Sequence, residues 1–402
     1  MERQSGSLCS KRILMVAPQP VFEPRGTPFS VVYRIRALCR AGHQVDLLTY
    51  PYGRDVNIRG LHIVRVPRLP MVRGVRIGPS IPKLMLDAML VVWMAAMLVG
   101  RRYDCIWSHE EAGLFCGIAS RIGRIPHVYD MHSDLSQQMR NYSRFDVALI
   151  RWVFDVLERT IIRLSDVVLV ICQDLLETAR AKARSKPVFL VENYCTEVDF
   201  LDDQAPDPAE LRQAHQLDGR TVVLYIGSLE PYQGIDLLMG AVAYLGRRKI
   251  ACRLLVVGGR DVQVEALRRE VDRQKLGHAV DVVGTVSPAA VQSYIEVSDI
   301  LVTARSRGTN VPLKLYSYMK SGKPIVATNI YSHTQLLDDK TALLVEPEAQ
   351  ALGRGIERLV GDGALRERLS CSARVKAAAF ADDCFERRIQ SALDSACKRG
   401  RQ

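Results

Sequence analysis

Paired metal ligands are missing from this chain of 402 residues. Its ten cysteines are scattered without a Cys-x-x-Cys pair, and no two aspartates are separated by a single residue. The first absence excludes a zinc finger and, in a chain too long to need disulfides, favours a reducing compartment. The second removes the aspartate pair that can hold a divalent ion on a diphosphate, so the sequence predicts no metal and no cofactor.

Nucleic-acid-binding motifs are missing as well. The net charge of +11 and the pI near 9.2 favour anionic partners. The chain nevertheless has no RNA-recognition motif and no lone basic recognition helix. Small anionic ligands and acidic lipid surfaces therefore rank above nucleic acid as partners.

The apolar segment Leu84–Val99 is too short for an ordinary membrane-spanning helix. Its sixteen residues contain Asp87 and would cover about 24 Å of helix, against roughly 30 Å of hydrocarbon. The pattern favours a buried packing helix, and the arginines before it, including Arg73 and Arg76, leave an interfacial helix open. The run Ile13–Ala17 is too short for a signal peptide. We expect a cytoplasmic protein, with a peripheral position on the inner face of the plasma membrane left open.

Strand and helix patterns alternate through both halves of the chain, which predicts an α/β fold of two Rossmann-like doubly wound domains facing a cleft. The predicted strands of the first half are Arg12–Ala17, Gln44–Thr49, Asp104–Ser108, Pro126–Asp130 and Asp166–Ile171. Those of the second half are Thr221–Ile226, Arg253–Val257, Val280–Val283, Ile300–Ala304 and Pro324–Thr328. The chain is also long enough to require two hydrophobic cores.

The domain boundaries follow from composition. Leu201–Gly219 is acidic and contains prolines, which is typical of a linker. It separates a first domain at 1–200 from a second at 220–375. The last helical run, Ala364–Cys397, is amphipathic, and we expect its part in 376–402 to cross back to the first domain.

The segment Arg307–Thr328 is the most informative about function. A glycine loop at Gly308 precedes an amphipathic run, and Gly322-Lys323-Pro324 then leads into an apolar strand. Such a loop opens onto a helix N-terminus, where backbone N–H groups and the helix dipole favour phosphate. Arg305, Arg307, Lys314 and the amides of Gly308–Val311, including those of Thr309 and Asn310, could then neutralise a diphosphate without a metal.

Five segments in this order resemble those of the family-4 glycosyltransferases, which are retaining enzymes of GT-B fold using nucleotide-sugar donors. The segments are Pro18 to Thr27, Gly42 to Val45, Tyr129 to Ser133, Tyr225 to Asp236, and Gly308 to Thr328. The resemblance spans most of the chain. It implies transfer of a sugar from a nucleotide diphosphate to a glycan or lipid-linked acceptor.

The resemblance assigns roles to individual positions. His132 matches a histidine that faces the donor sugar, and with Lys314 it is the predicted catalytic pair. The positions implied in donor binding are Gly26, Gly227, Ser228, Gln233, Thr285, Val286, Arg305, Gly308, Thr309, Asn310, Val311 and Ser317. The acceptor side would contain Arg25, Thr27, His109 and Glu110, although a solvated loop is the simpler interpretation of His109.

The sequence departs from the family pattern at four positions. Ser228 and Gln233 stand where a donor-binding arginine and lysine are common, and Thr309 and Ser317 replace two glutamates. Hydroxyl and amide groups bind phosphate or sugar without charge assistance, at about half the strength per hydrogen bond. The basic role then passes to Lys314 and its neighbours. A non-catalytic partner subunit and a sugar-nucleotide epimerase of similar fold remain as alternatives.

Overall fold

The structure is a computed structural model that describes residues 10–21, 26–69, 80–134, 148–193 and 205–400. The chain forms two compact units. The first contains Met1–Asn193 with Asp382–Gln402, and the second contains Tyr194–Ala381. Each unit has its own parallel sheet.

The sheet of the first unit has seven parallel strands in the order β3-β2-β1-β4-β5-β6-β7. They are β1 (Arg12–Ala17), β2 (Gln44–Thr49), β3 (Leu61–Arg65), β4 (Cys105–His109), β5 (His127–Met131), β6 (Val167–Val170) and β7 (Val188–Leu190). The helices are α1 (Gly26–Arg40), α2 (Ile81–Gly100), α3 (Ala112–Gly123), α4 (Ala148–Leu164) and α5 (Gln173–Ala183). The strands are almost continuously apolar because helices cover the sheet.

The sheet of the second unit has six parallel strands in the order β10-β9-β8-β11-β12-β13. They are β8 (Thr221–Ile226), β9 (Cys252–Val257), β10 (Val280–Gly284), β11 (Ile300–Thr303), β12 (Ile325–Thr328) and β13 (Leu343–Val345). Its helices are α6 (Pro208–Ala214), α7 (Ile235–Arg247), α8 (Asp261–Arg273), α9 (Pro288–Val297), α10 (Lys314–Ser321), α11 (Tyr331–Thr334), α12 (Ala349–Gly361) and α13 (Gly363–Ala377). Short 3₁₀ turns cover Pro231–Gln233 and Ala378–Phe380.

The last helix, α14 (Asp382–Arg399), belongs to the first unit. Phe385, Ile389 and Leu393 are buried on one of its faces, and the helix packs against α1 and the central strands β4 to β6. The predicted single helical run Ala364–Cys397 is therefore wrong. It is two helices, α13 and α14, and the boundary between the units lies at the turn that separates them.

The sheet strands predicted from apolar runs are present, and Arg12–Ala17, Gln44–Thr49 and Thr221–Ile226 have the predicted bounds. Three short strands, β3, β7 and β13, were not predicted, because each has only partly buried residues at the rim of a sheet. The predicted linker Leu201–Gly219 is not irregular throughout. It contains α6, whose first turn is capped by the Asp207 carboxylate accepting from the N–H of Ala209.

Burial of the apolar segment Leu84–Val99 was also predicted wrongly. It lies within α2, and only one narrow face of that helix, formed by Leu86, Leu90 and Met94, is buried. Most of its remaining apolar side chains are exposed. This helix is long and apolar enough to cross a membrane by length and composition.

Both sheets have the strand order of a doubly wound nucleotide-binding fold. In the first, the order reverses between β1 and β4, and in the second between β8 and β11. Ligands of such sheets bind beyond the carboxyl ends of the strands next to that reversal. A ligand of either sheet is therefore expected at the edge that the carboxyl ends of these strands form.

Candidate active site

The carboxyl edge of the first sheet carries a buried polar cluster. β4 ends at His109, and His132 directly follows β5, in which Asp130 is the last residue but one. Because the two strands are parallel neighbours with His109 paired to Asp130, all three side chains meet at one edge. All three are buried.

The Asp130 carboxylate is the centre of this cluster. Its Oδ2 accepts a hydrogen bond of 3.0 Å from Nε of Arg34, which lies on α1 and is itself completely buried. Burial alone would raise the pKa of Asp130, but the Arg34 guanidinium and the two imidazoles outweigh it and lower this pKa to about 2. The carboxylate is therefore ionised, and Arg34 is its counter-ion.

Arg34 is held by more than one partner. Its Nη2 donates to the carbonyl of Val191 at 2.9 Å, and its Nη1 lies 3.4 Å from Oδ1 of Asn193, which also accepts from Ser30. Phe385 of α14 stacks on the guanidinium with 5.1 Å between Cζ and the ring centre. A buried ion pair needs such additional contacts to offset the loss of water.

His109 and His132 contact each other directly. Nδ1 of His109 lies 2.9 Å from Nε2 of His132, and the same two atoms lie 3.6 and 3.4 Å from the Asp130 carboxylate. Burial lowers the pKa of His109 to about 3 and that of His132 to about 4, so both imidazoles are neutral at physiological pH. The interpretation of His109 as a residue of a solvated loop is therefore wrong.

The same three side chains could also hold a metal ion. One ligand atom from each of His109, Asp130 and His132 falls within 4.8 Å of the others. Arg34 argues against this use, because its guanidinium already neutralises the carboxylate. A divalent ion added beside a buried guanidinium would meet strong repulsion at low dielectric. The cluster fits an orienting network better than a metal centre.

Glu110, which was predicted to contact the acceptor, extends the cluster. Its carboxylate accepts from the Ser133 hydroxyl at 2.9 and 3.1 Å. Burial, followed by the neighbouring charge of Glu111, raises the pKa of Glu110 to about 8. The carboxyl is thus largely protonated at neutral pH.

The remaining acceptor-side and first-loop predictions lie at the start of α1, where Gly26 and Thr27 form the first turn, while Arg25 is outside the described residues.

The carboxyl edge of the second sheet carries a basic cluster. β8 is followed by Gly227 and Ser228, and β11 by Ala304 and Arg305, on either side of the reversal of strand order. Gly227 has a φ of 149°, and a Cβ there would lie 3.3 Å from Nζ of Lys314. The glycine therefore leaves the space in front of this ammonium open.

Lys314 is the first residue of α10 and points inward. Its Nζ lies 4.0 Å from the ring centre of Tyr225 and is shielded from solvent. Among the described residues it has no hydrogen-bond partner. Burial, with the nearby Arg305 guanidinium, lowers the pKa of Lys314 well below its usual value. Burying an ammonium without a hydrogen-bond partner costs free energy. Such a group is expected in an anion-binding site that has no ligand bound.

Arg305 shapes the glycine loop. Its Nη1 donates to the carbonyl of Asn310 at 2.7 Å, and its guanidinium packs on Gly308, where a φ of 122° requires glycine. Tyr232 lies against the other side, 5.1 Å from Cζ to the ring centre. Burial lowers the pKa of Arg305, yet the group stays charged. Lys314 and Arg305 thus place two cations at the carboxyl edge of the second sheet, next to the reversal of strand order.

The other donor-side predictions lie around the same edge. Thr309 is fixed through its carbonyl by the Gln335 amide, and Val311 is buried. Ser317 is half-buried on α10, one turn after Lys314. Thr285 donates to the Gly259 carbonyl at 2.5 Å, and Val286 follows it after β10.

Of the two residues that replace the expected basic pair, Gln233 is engaged inside the unit, whereas Ser228 is exposed and accepts a hydrogen bond through its backbone carbonyl. The Tyr225 hydroxyl donates to the Ser228 carbonyl at 2.7 Å and lies 3.4 Å from the Gln233 amide oxygen. Gln233 is buried in the turn Pro231–Gln233. Tyr225 therefore organises both the turn and the lysine above its ring.

Sequence reasoning missed Arg34, Tyr225 and the pairing of His109 with His132. Arg34 lies in an amphipathic helix, where an arginine is ordinarily solvated, and no motif surrounds it. Tyr225 has a weak signal, because an aromatic hydroxyl near the end of a buried strand requires a polar partner. The histidine pair could be anticipated only by aligning β4 with β5 in register.

The chain matches known protein families over most of its length. Residues 29–193 match the family described as "Glycosyl transferase 4-like domain", and residues 207–376 match "Glycosyl transferases group 1". Alpha-D-kanosaminyltransferase of Streptomyces kanamyceticus is 28% identical over 273 residues, which cover 65% of this chain and 68% of that protein. Phosphatidyl-myo-inositol mannosyltransferase of Mycolicibacterium smegmatis is 24% identical over 363 residues, covering 88% and 86%.

A solved structure shows the same fold. HepE of Anabaena, in complex with UDP and glucose, superposes with a TM-score of 0.72 at 18% identity, covering 96% of this chain and 99% of HepE. At this identity the likeness is one of fold alone. The two-domain α/β fold of GT-B type expected from the sequence is confirmed.

The buried histidines predict that acid destabilises the first unit. In the unfolded chain their pKa is near 6.5, and folding lowers it to about 3 for His109 and about 4 for His132. Between these values the unfolded state binds more protons, so the contribution of each histidine to the free energy of unfolding falls as pH drops below about 6.5, by up to about 1.4 kcal/mol per pH unit. Glu110, whose pKa is raised by folding from 4.5 to about 8, contributes in the opposite direction and offsets about one of the two histidines over this range.

Tryptophan fluorescence during urea unfolding measures this, because Trp93, Trp107 and Trp152 all lie in the first unit. His109→Asn should make the dependence shallower by about 1.4 kcal/mol per pH unit between pH 6 and pH 5. An identical slope in the variant and the wild type would show that His109 is not held neutral.

Proposed function

The chain belongs to the family-4 glycosyltransferases, and we propose that it transfers a sugar from a nucleotide-diphosphate donor to a glycan or lipid-linked acceptor. The proposed reaction is retaining, of the hexosyltransferase type, and independent of metal. The donor would bind at the carboxyl edge of the second sheet. The acceptor would bind at that of the first.

The observation that carries this proposal is the buried ammonium of Lys314. It faces the space in front of Gly227, at the reversal of strand order, without a hydrogen-bond partner among the described residues. A diphosphate would supply the missing anion. Arg305, at the end of the neighbouring strand, adds a second charge for the same group.

These two cations take the place of the absent basic pair. Ser228 and Gln233 carry no charge, and Tyr225 contacts the backbone carbonyl of Ser228 and the side-chain amide oxygen of Gln233. Lys314 reaches the same turn from α10 instead of from the loop after β8. The basic role is thus relocated within one edge of the sheet, which favours a working donor site over a degenerate one.

The proposed mechanism needs no covalent intermediate. The bond from the anomeric carbon to the phosphate oxygen breaks, and a bond from that carbon to the acceptor oxygen forms on the same face of the sugar. The acceptor proton passes to the departing phosphate oxygen. Lys314, Arg305 and the amides of Gly308–Val311 would stabilise the charge that develops on the leaving diphosphate.

His132 has an orienting role in this mechanism. Its imidazole is neutral, so it can donate or accept one hydrogen bond to a sugar or acceptor hydroxyl. The contacts of His132 with His109 and Asp130 restrict its ring. Glu110, with its raised pKa of about 8, can act beside it as a neutral donor to the acceptor.

Metal independence rests on the same groups. Two cations already stand where a divalent ion would neutralise the diphosphate. The one metal-capable cluster among the described residues contains an aspartate neutralised by Arg34. A cytoplasmic location, where nucleotide sugars are made, fits the proposed donor.

Assays with a panel of nucleotide sugars test the function. Incubation with each donor in chelator-treated buffer, with and without glycan and lipid-linked acceptors, should give acceptor-dependent release of the nucleoside diphosphate. Conversion of the sugar without an acceptor would identify an epimerase. Donor binding without release would identify a non-catalytic partner subunit, and a strict need for added metal would overturn metal independence.

Replacing Lys314 by methionine should lower kcat more than 100-fold, about 2.7 kcal/mol, because the transition-state charge loses its nearest cation. The fold should keep or gain thermal stability, since a buried unpaired charge is removed. Lys320→Met, at an exposed position on the same helix, is the matched control and should keep kcat within about twofold of the wild type. Unchanged turnover in Lys314→Met would remove Lys314 from the site.

A further inference from the structure

The charged side chains of the helix α2 face the protein, and most of its apolar side chains face solvent. Its only charged residues, Lys83 and Asp87, are both directed at the protein, where Lys83 pairs with Glu111 and Asp87 accepts from the Tyr50 hydroxyl at 2.6 Å. A surface helix of a soluble protein directs its charges to water and its apolar side chains inward. On α2 the charges are engaged inside, and only a narrow apolar strip is buried.

The outer face of α2 is apolar along its whole length. Its exposed side chains recur at helical spacing from one end to the other, and they are Ile81, Leu84, Met85, Ala88, Val91, Val92, Ala95, Ala96 and Val99. The exposed fraction is 70% for Ile81 and 90% for Val99. A stripe about 30 Å long without a charge is far from the scattered apolar residues of an ordinary surface.

The neighbouring helices also carry exposed apolar side chains. α3 packs beside α2, and α4 packs beside α3. Ile122 of α3 is 81% exposed and Trp152 of α4 is 62% exposed, with Val153 and Val156 exposed next to it. We call the exposed apolar side chains of α2, α3 and α4 the apolar face. Tryptophan is enriched where protein meets the headgroup region of a bilayer.

Basic side chains border the apolar face. Arg102 follows the end of α2, and Arg124 caps the end of α3. Neither forms an ion pair with any residue that the structure describes, so both charges are available to a ligand. A cavity of about 730 Å³ lies between the two helix ends, lined by both arginines together with Val99 and Ile122.

We propose that the apolar face binds the surface of a membrane that contains anionic lipids, with α2 lying parallel to the bilayer. Val99, Ile122 and Trp152 would enter the acyl boundary, while Arg102 and Arg124 bind phosphate headgroups. α2 does not span the bilayer, because Leu86, Leu90 and Met94 anchor it in the core along its length. The basic border favours an anionic lipid surface as the occupant, because phosphate headgroups complement Arg102 and Arg124.

Vesicle binding tests this without any substrate, so its failure is distinct from failure of the proposed glycosyl transfer. The full chain should co-sediment with vesicles of phosphatidylcholine mixed with phosphatidylglycerol. Binding to phosphatidylcholine alone should be at least tenfold weaker, and added salt should weaken binding to the mixed vesicles. Equal binding to both kinds of vesicle would contradict the role of the arginines.

Two exposed valines provide the decisive variant. Val92→Glu combined with Val99→Glu should lower partitioning at least tenfold, about 1.4 kcal/mol. Val262→Glu, at a valine of the second unit that is 77% exposed, is the matched control and should bind like the wild type. Equal binding of all three proteins would overturn the proposal, as would a stable dimer in solution that the double variant dissociates.

Fluorescence gives a second measurement that needs no charged substitution. Trp152 is exposed, Trp93 of α2 is half-buried against the core, and Trp107 is completely buried. Vesicles that contain phosphatidylglycerol should shift the emission of the wild type to shorter wavelength, and Trp152→Phe should remove most of the shift. Wild-type emission that does not respond to these vesicles would place the apolar face away from the lipid.

Discussion

A buried lysine ammonium without a counter-ion among the residues that the structure describes is the constraint on which the proposed donor site depends. Lys314 lies against the Tyr225 ring and faces the space left open by Gly227. Removing such a charge from water costs several kcal/mol unless an anion or a hydrogen-bond acceptor compensates. The fold retains it at the one edge of the second sheet where the strand order reverses and ligands of such sheets bind. The simplest resolution is a ligand that brings its own negative charge.

The two units treat their buried charges in opposite ways. In the first, Asp130 is matched by Arg34, and the histidines beside it are kept neutral by burial. That cluster is internally balanced, so it can orient a neutral hydroxyl without attracting ions. In the second, Lys314 and Arg305 form an unbalanced cationic pair. The balanced cluster of the first sheet would suit a neutral acceptor hydroxyl. The excess positive charge at the second sheet would suit an anionic donor.

The sequence predicted those structural features that a local pattern of residues determines. Apolar runs predicted the strands, and the ordered motifs from Pro18 to Thr328 led to the family and the fold. It did not predict features that depend on the direction in which a side chain points. Nothing local to Arg34 reveals that it points at Asp130, and nothing in α2 reveals that Lys83 and Asp87 turn inward. Such directions follow from which neighbours a helix meets, and those neighbours are distant in the chain.

The state of Lys314 when a ligand binds tests the central claim most directly. Burial lowers its pKa in the free protein and so favours the neutral amine, whereas a bound diphosphate would favour the ammonium, so binding should take up protons. Calorimetric titration with a nucleoside diphosphate, repeated in buffers of different ionisation enthalpy near pH 8, measures that uptake. We expect uptake of up to about one proton in the wild type and none in Lys314→Met. Tight binding with the same proton balance in both proteins would contradict the role of Lys314 in binding the diphosphate.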